Sequence, residues 1–307
     1  MSKSTISTFQ LFSMYPDVPT AQKYLESRLW KNGVTCPKCK AKERITTRKD
    51  GYYRCNACKL DFTVRTGTIF ERSHVPLHKW IYAMYLLVTA RKGISSLQLG
   101  KEIGITQKSA WFVLQRLREA CGDDLEKLSG IVEMDETFVG GLEVNRHFNK
   151  RRNLGAGHAG KIVVVGMRER GGRRRTRAFP VIGNGRISLE RAVTENIERG
   201  STIHTDEYRG YKNLTKLDYK HDSVNHFMYE YSRKGVTTNG IESVWAVLRR
   251  GLHGVYHHAS PKHLARYVNE FTWRLNDGNV KRHSLERLDS FVDAITGRRI
   301  TYAELTQ

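Results

Sequence analysis

Two pairs of cysteines near the start of the chain constrain its fold more than any other feature. They are Cys36 with Cys39 and Cys55 with Cys58, each in a Cys-x-x-Cys pattern, and fifteen residues separate the two pairs. Four thiolates at this spacing can converge on one tetrahedral Zn²⁺. Because all four positions of such an ion would be filled by protein, we expect a closed site that stabilises a small module and does not catalyse.

Two disulfides or four ordinary core thiols are the alternatives to zinc. Disulfides need an oxidising compartment, and residues 1–10 lack the apolar stretch of a secretory signal. Between the pairs, Lys49, Asp50 and Gly51 predict a hairpin that returns the chain to the second pair. So short a segment buries little core unless a metal holds it together, and zinc is therefore the preferred interpretation.

The charge balance indicates a polyanionic partner. The 307 residues include 52 Lys and Arg against 31 Asp and Glu, which gives a formal net charge of +21. A surplus of this size favours nucleic acid over a membrane surface. The longest apolar run, Trp80 to Val88, is too short to cross a bilayer, so no membrane association is expected.

A pair of short helices is predicted after residue 95. The first ends at Gly104, and the second begins at Thr106, a residue type that caps helix N-termini. The pattern is typical of a helix-turn-helix, although any helical hairpin would produce it. The polar start of the second helix suits contacts in a DNA groove, and its candidate DNA-binding residues are Gln107, Lys108 and Ser109.

After Gly130 the pattern changes to short strands alternating with helices. Strands are predicted at 131–138, 162–167, 178–182 and 201–205, with helices at 189–197 and from Asn239 onward. Strands followed by helices that pack on one sheet indicate an α/β layered domain.

Three acidic residues of this domain are candidates for catalysis. Asp135 lies within the first strand, on the same face as Glu133; Asp206 ends the fourth strand, and Glu242 lies on the last helix. A carboxylate inside an apolar strand is costly unless it is paired or binds a metal. Together the three could hold a pair of divalent cations that activate a water or a 3′-hydroxyl for phosphodiester chemistry.

Each acidic residue also has a structural alternative. Asp206 could cap a following helix, Asp135 could close a turn, and Glu242 could pair with Arg249 or Arg250. The joint occurrence of all three in a basic protein with predicted DNA-binding modules favours the catalytic interpretation.

A basic tract surrounds the second strand of the α/β domain. Between His147 and Arg177 the chain has ten Lys or Arg residues and one acid, Glu169. A solvated loop is the alternative, but clustering beside the acidic residues favours a phosphate-binding surface. The candidate DNA-binding residues here are Arg151, Arg152, Arg173, Arg174 and Arg175, joined by Arg249 on the last helix.

Several longer motifs resemble those of a known family. The chain resembles the zinc-ribbon transposases of bacterial insertion sequences, the ISXO-like group of the Asp-Asp-Glu/Asn transposase and integrase superfamily, over nearly its whole length. The motifs are Cys36-Pro-Lys-Cys39, Arg54-Cys-Asn-Ala-Cys58, Arg65-Thr-Gly-Thr-Ile-Phe70, Val132-Glu-Met-Asp-Glu-Thr-Phe-Val-Gly-Gly141, His204-Thr-Asp-Glu-Tyr208, Thr238-Asn-Gly-Ile-Glu-Ser-Val-Trp245 and His257-His-Ala-Ser-Pro-Lys-His-Leu264.

The resemblance implies a fold and a division into domains. The fold class it implies is multidomain α/β with an RNase H-like catalytic domain. The expected domains are a helical lead-in at 1–32, a zinc ribbon at 33–65, a helical and helix-turn-helix DNA-binding region at 76–122, the catalytic domain at 128–280 and a C-terminal helical tail at 281–307.

The resemblance also implies an activity. The protein is expected to bind the terminal inverted repeats of an insertion sequence, cleave the DNA there and join the 3′-hydroxyl to target DNA. Mg²⁺ would serve catalysis, with Mn²⁺ able to substitute, and Zn²⁺ would be structural. Double-stranded DNA is the expected partner, a homodimer or larger assembly on DNA is expected, and the site of action would be the nucleoid in the bacterial cytoplasm.

The third catalytic position has two candidates. The resemblance favours Asn239, whereas the chemistry of metal binding favours Glu242, because an amide is a weaker and neutral ligand. The two residues lie three apart and share a helix face. A DNA-binding regulator without catalysis and a nuclease without strand transfer are the rival functions, and the retained acidic residues argue against the regulator.

Overall fold

The chain divides into two units in the computed structural model. The first comprises Met1–Gly122 and Asp277–Gln307, and the second comprises Asp123–Asn276. The structure describes residues 5–122, 126–141, 143–145, 147–151, 160–224, 232–233, 235–277 and 280–306.

The described residues form the following α-helices and β-strands. The helices are α1 (Thr8–Met14), α2 (Val18–Leu29), α3 (Leu77–Thr89), α4 (Ser96–Ile103), α5 (Gln107–Ala120), α6 (Arg186–Asn196), α7 (Asn239–Gly251), α8 (Pro261–Asn276), α9 (Ser284–Asp293) and α10 (Tyr302–Thr306). The strands are β1 (Ile45–Thr47), β2 (Tyr53–Cys55), β3 (Asp61–Phe62), β4 (Ile131–Val139), β5 (Ile162–Arg170), β6 (Thr176–Val181), β7 (Thr202–Asp206) and β8 (Lys220–Val224).

A small antiparallel sheet in the order β1-β2-β3 accompanies the cysteine pairs, and Cys55 ends its middle strand. Three aromatic rings pack beside it: Tyr53 lies 5.0 Å from Trp30 and 5.7 Å from Phe62 between ring centroids. These rings and the buried Cys36 and Cys55 form a core of few residues. A core of this size agrees with the expectation that the module depends on a metal.

Basic residues in the first unit support its interior as well as its surface. Arg116 is 4% exposed and donates to the carbonyl oxygens of Ile69 at 2.6 Å and Glu71 at 2.8 Å. Arg287 of α9, also 4% exposed, donates to the carbonyl oxygen of Val88 at 2.6 Å. Such bonds satisfy backbone carbonyls that would otherwise be buried without a partner.

The predicted pair of helices is present as α4 and α5. Gly104 ends α4 in the left-handed conformation, with φ of +61°, and Thr106 caps α5 by accepting the N–H of Ser109 at 3.2 Å. A side chain at Gly100 would approach the carbonyl oxygen of Ile105 to 3.0 Å, so the two helices pack closely. The hairpin agrees with the sequence, and its use as a DNA-binding helix-turn-helix stays a prediction.

The C-terminal residues belong to the first unit. Tyr24 of α2 donates to Asp289 of α9 at 2.6 Å, and the N–H of Gly297 donates to the carbonyl oxygen of Gly67 at 2.9 Å. The segment that the sequence predicts as a separate helical tail therefore packs on the N-terminal helices.

The second unit is built on a five-stranded sheet in the order β6-β5-β4-β7-β8. Strands β4, β5 and β6 pair antiparallel, whereas β7 pairs parallel with both β4 and β8. The sequence did not predict β8, because this edge strand reads Lys-His-Asp-Ser-Val and buries only Val224. Strand β4 is central and runs parallel to β7 on one side and antiparallel to β5 on the other.

Apolar residues cover both faces of this sheet. One face packs against α6 through residues such as Met134, Val165 and Val193, and the other packs against α7 and α8 through Val164 and Phe271. The multidomain α/β fold class predicted from the sequence is confirmed. Within the described residues, no helix combines the length and apolarity needed to span a membrane.

Candidate functional site

The four paired cysteines form a compact sulfur cluster. The Sγ atoms of Cys36 and Cys58 lie 3.6 Å apart, as do those of Cys39 and Cys55, and all four lie within 4.8 Å of one another. A disulfide would bring two sulfurs to about 2 Å, so the cysteines are free thiols. Four ligands at about 2.3 Å from a tetrahedral Zn²⁺ would stand about 3.8 Å apart, which fits the observed spacing.

The two cysteine turns have matching backbones. The residue after each pair, Lys40 and Lys59, adopts a left-handed conformation with φ of 60° and 61°. The N–H of Cys36 donates to the carbonyl oxygen of Ala41, and that of Cys55 donates to the carbonyl oxygen of Leu60, both at 2.9 Å. The repeated geometry presents two equivalent pairs of sulfurs to one centre.

Asp135 and Asp206 lie on adjacent strands, each two residues beyond the last paired position. Parallel pairing of β4 with β7 aligns Ile131 with Thr202 and ends at Glu133 with His204. Adjacent strands lie about 4.8 Å apart, and residues two apart on a strand share a face. Both predicted carboxylates thus follow the paired segment, with β7 ending at Asp206, and the charge of Asp206 acts on Asp135.

Helix α7 crosses this face of β4 in matched steps. The N–H of Ile241 donates to Glu133 Oε2 at 2.9 Å, and the indole N–H of Trp245 donates to Asp135 Oδ2 at 2.9 Å. Four residues of a helix and two residues of a strand each span about 6 Å. Every fourth residue of α7 therefore meets every second residue of β4. One turn further on, the Arg249 guanidinium donates to the hydroxyl of Thr137 at 3.0 Å.

A glycine on β5 makes room for the indole ring. Gly166 pairs with Asp135, and a Cβ at this position would lie 2.4 Å from the ring of Trp245. Trp245 is 3% exposed, and the sequence did not predict its hydrogen bond to Asp135. The ring therefore packs the core and fixes one oxygen of the carboxylate.

Burial and two nearby carboxylates change the pKa of Asp135. Burial, with a smaller contribution from the charges of Asp206 and Glu242, raises the pKa of Asp135 to about 6 against the lowering effect of its hydrogen bonds. A cation would relieve this repulsion, and carboxylate oxygens are the ligands that Mg²⁺ prefers. The donor set therefore fits a divalent metal.

The acidic residues are spaced more widely than the cysteines. Among the described residues, only the cysteine sulfurs form a group of three or more potential ligand atoms within 4.8 Å. One oxygen of Asp206 accepts the N–H of Tyr208 at 3.0 Å, which is a local turn contact and not the helix cap considered as its structural alternative. This bond orients the Asp206 carboxylate at the strand end.

The sequence analysis did not single out Glu136, which faces the opposite side of β4. Burial raises the pKa of Glu136 to about 8, and the charges of Asp135 and Asp206 act in the same direction. Tyr211, which is fully buried, lies beside it, and burial likewise raises the tyrosine pKa well above its usual value. A signal was available in the sequence, because Glu136 directly follows Asp135 and lies on the strand face shared with the apolar Val132 and Met134.

Both candidates for the third catalytic position lie in the first turn of α7. Asn239 is the first residue of the helix, and Glu242 follows three residues later; both are exposed. The buried Thr238 donates its hydroxyl to Glu242 Oε1 at 2.9 Å. The Glu242 carboxylate is thus oriented by a neighbour, and its charge acts on Asp135.

The basic tract divides into inward and outward residues. Arg175 forms an ion pair with the buried Glu169 at 2.8 Å and with Glu126 at 2.9 Å, and Arg168 donates to the carbonyl oxygen of Gly240 at 2.9 Å. Arg173 and Arg174, by contrast, are exposed on the turn between β5 and β6. Arg175 therefore serves the interior of the unit, a role that the sequence did not predict.

The other predicted DNA-binding residues lie in several settings. Lys108 lies over the ring of Tyr302 at 5.0 Å, and Gln107 donates to the hydroxyl of Ser96 at 2.9 Å; both remain exposed. The Ser109 hydroxyl lies 2.9 Å from that of Thr106 and supports the helix cap. Arg151 is exposed and donates to a backbone carbonyl, whereas Arg152 lies outside the described residues.

A cavity of about 390 Å³ lies beyond the acidic residues, at the end of β4. Its lining includes Thr137, Arg249 and three histidines, His253, His257 and His258. Phe138 and Val139 of β4, Ile162 of β5 and Leu248 of α7 are among its apolar lining residues.

Comparison with known proteins identifies the family of both units. Residues 127–276 match the ISXO2-like transposase domain, and residues 19–61 match a transposase zinc-ribbon domain. A Halobacterium salinarum protein described as an uncharacterized protein in transposable element ISH50 is 31% identical over 258 residues, covering 80% of this chain and 86% of that protein. An uncharacterized transposase-like protein of Haemophilus influenzae is 26% identical over 89 residues, covering 29% of this chain and 71% of that protein.

Solved structures give only distant likenesses. A Mos1 transposase paired-end complex with the left transposon end is 10% identical, covers 69% of this chain and 78% of its own, and superimposes with a TM-score of 0.27. The family therefore follows from the sequence matches: the chain belongs to the ISXO2-like transposases of insertion sequences and carries their zinc-ribbon module.

Proposed function

We propose that this protein binds the terminal inverted repeats of its insertion sequence, cleaves the DNA at those ends and joins the freed 3′-hydroxyl to target DNA. One observation supports the proposal: Asp135, on a strand that pairs with β7, lies within electrostatic reach of both Asp206 and Glu242. Membership of a transposase family supplies the reaction class.

The acidic residues are the proposed catalytic centre. Asp135 and Asp206, with Glu242 or Asn239 as the third group, would hold Mg²⁺, and Mn²⁺ could replace it. A pair of such ions activates the attacking oxygen and stabilises the leaving oxygen of the phosphodiester. Trp245 and the N–H of Tyr208 each anchor one carboxylate oxygen, which fixes the direction of the two aspartates.

DNA contacts are proposed for both units. In the first, exposed Gln107 and Lys108 at the start of α5 would read the terminal repeat, with Ser109 holding the cap. In the second, exposed Arg173, Arg174 and Arg249 would bind phosphates, together with Arg151 and with Arg152 beyond the described residues. The net charge of +21 supports a large electrostatic share of binding.

Zinc and assembly complete the proposal. The sulfur cluster would hold one structural Zn²⁺ per chain, because its spacing suits a tetrahedral ion. Joining two transposon ends requires two active sites, so a homodimer or larger assembly on DNA is proposed. The protein would act on bacterial DNA at the nucleoid.

The test is a reaction of purified protein with a supercoiled donor plasmid that carries the element's ends, a target plasmid and Mg²⁺. We expect joined donor–target products that depend on the terminal repeats. Nicked or linear donor without joining would replace the proposal with a nuclease, and bound but uncut donor would replace it with a DNA-binding regulator.

A further inference from the structure

Glu133 contacts the start of the helix that carries both candidates for the third catalytic position. Its Oε2 accepts the N–H of Ile241 at 2.9 Å, and its Oε1 lies 3.4 Å from Nε of Arg170. The side chain is 4% exposed. The first N–H groups of a helix lack partners within the helix and carry partial positive charge, so β4 supplies a carboxylate that caps α7 from outside.

Gly240 fits this carboxylate closely. A Cβ at residue 240 would lie 2.4 Å from Glu133 Oε2, well inside contact distance. Gly240 has an ordinary helical backbone, so the glycine is required here for close approach and not for an unusual conformation. The glycine stands between Asn239 and Glu242 in the same turn.

Arg168 holds the same turn from the neighbouring strand. Its guanidinium donates to the carbonyl oxygen of Gly240 at 2.9 Å and to the hydroxyl of Ser243 at 2.8 Å. With the Glu133 contact, these bonds fix the depth and rotation of the first turn of α7. Since Asn239 and Glu242 lie three apart, any rotation of that turn moves both together.

We propose that Glu133 is a positioning residue, and that Glu133 and Gly240 form a lock that aims the third catalytic group at Asp135. The inference rests on the proposed function of the acidic site. Glu133 is not itself a metal ligand, although it shares a strand face with Asp135, because its two oxygens bind the helix start and Arg170.

The test measures metal binding as well as catalysis, in zinc-loaded full-length protein. Tb³⁺ serves as the probe ion, its luminescence sensitised by Trp245, and loss of the signal in Asp135→Asn assigns it to the acidic site. We expect Glu133→Ala and Gly240→Ala each to weaken Tb³⁺ binding about 10–100-fold and to raise the Mg²⁺ requirement of strand transfer in parallel. Glu133→Gln keeps an acceptor for the Ile241 N–H and should stay close to wild type.

Two matched controls separate positioning from stability. Glu169→Ala removes another buried glutamate of the same sheet, one that pairs with Arg175, and Gly185→Ala adds a methyl group in open space. Both should leave Tb³⁺ affinity unchanged, whatever they do to the melting temperature. Should Glu133→Ala fail to fold, Gly240→Ala still tests the lock, because it leaves every charge in place.

Two results would overturn the inference. Equal loss of Tb³⁺ binding in Glu133→Gln and Glu133→Ala would mean that Glu133 is a metal ligand. Wild-type Tb³⁺ affinity in Gly240→Ala and in any folded Glu133→Ala would mean that Glu133 and Gly240 do not position the third catalytic group. Neither result depends on strand transfer. A wild-type protein that binds Tb³⁺ in a Glu133-dependent manner but joins no DNA would reject the proposed function alone.

Discussion

At the scale of single residues, the acidic site depends on which donor holds each carboxylate oxygen. Asp135 accepts from Trp245, Asp206 from the N–H of Tyr208, and Glu242 from the hydroxyl of Thr238. Each bond restricts how its carboxylate can turn. Asn239 lies in the same helical turn as Glu242, but its charge is zero, so it cannot contribute to the repulsion felt by Asp135.

The third catalytic group can be identified by comparing Glu242→Gln with Asn239→Ala. Because Glu242 carries a charge that acts on Asp135, we expect Glu242→Gln to lose about 100-fold in strand transfer, with partial recovery in Mn²⁺. Asn239→Ala should retain most activity. Rates are compared for variants of matched melting temperature, and a dead Asn239→Ala beside an active Glu242→Gln would assign the position to the asparagine.

The stability of the second unit should depend on Asp135 in a defined pH range. With a folded pKa of about 6 against a reference of 3.8, ionised Asp135 destabilises the fold above pH 6, and this cost disappears as the pH falls toward 4. At pH 7.5 without Mg²⁺, Asp135→Asn should therefore raise the free energy of unfolding by about 1–3 kcal/mol, and with it the melting temperature. Calorimetry that finds no gain, or an equal gain at pH 7.5 and pH 4.5, would contradict the electrostatic account.

At the scale of elements, the β5–β6 turn separates arginines with different roles. Arg173 and Arg174 are exposed, whereas the Arg175 side chain is 17% exposed and paired with Glu169. Position along the sequence does not distinguish them, since all three lie in one basic run.

Salt dependence of DNA binding can distinguish these arginines. Replacing Arg173 and Arg174 together by Ala should reduce the slope of log K against log[salt] by up to about 1.8, at about 0.9 per phosphate contact. Arg175→Ala should instead lower the melting temperature and, in the protein that remains folded, change the slope little. An unchanged slope in the double variant would mean that the turn does not contact DNA.

How much of each element the sequence predicts depends on where its contacts come from. Local signals sufficed for α4 and α5, whose caps and apolar spacing lie within 26 residues, and for β5 with its apolar run. Strand β8 lacks such a run and is fixed by pairing with β7. The Glu133 cap joins residues 108 apart, and no local pattern marks it.

At the scale of the whole molecule, the two units hold two different kinds of metal-binding chemistry. Soft thiolates in the first unit suit a structural zinc, and carboxylates in the second suit Mg²⁺. Because each set of ligands comes from one unit, loss of one site should leave the other unit folded.

Zinc removal tests this independence. Purified protein should contain one Zn²⁺ per chain, and Cys55→Ser should lose the metal and unfold the module built on β1, β2 and β3. The second unit should keep its wild-type melting temperature, measured by calorimetry, and its wild-type hydrogen-exchange protection. A zinc-free wild-type protein would disprove the metal site, and joint unfolding of both units would disprove their independence.

The central claim is that Asp135 and Asp206 form the catalytic centre of a transposase, and strand transfer by Asp135→Asn tests it most directly. The substitution keeps the shape of the side chain and its bond with Trp245 but removes one negative charge from the proposed metal site. The account predicts that Asp135→Asn binds transposon ends at least as tightly as wild type and yields neither cleaved nor joined DNA. Strand transfer at the wild-type rate by the Asp135→Asn protein would contradict it.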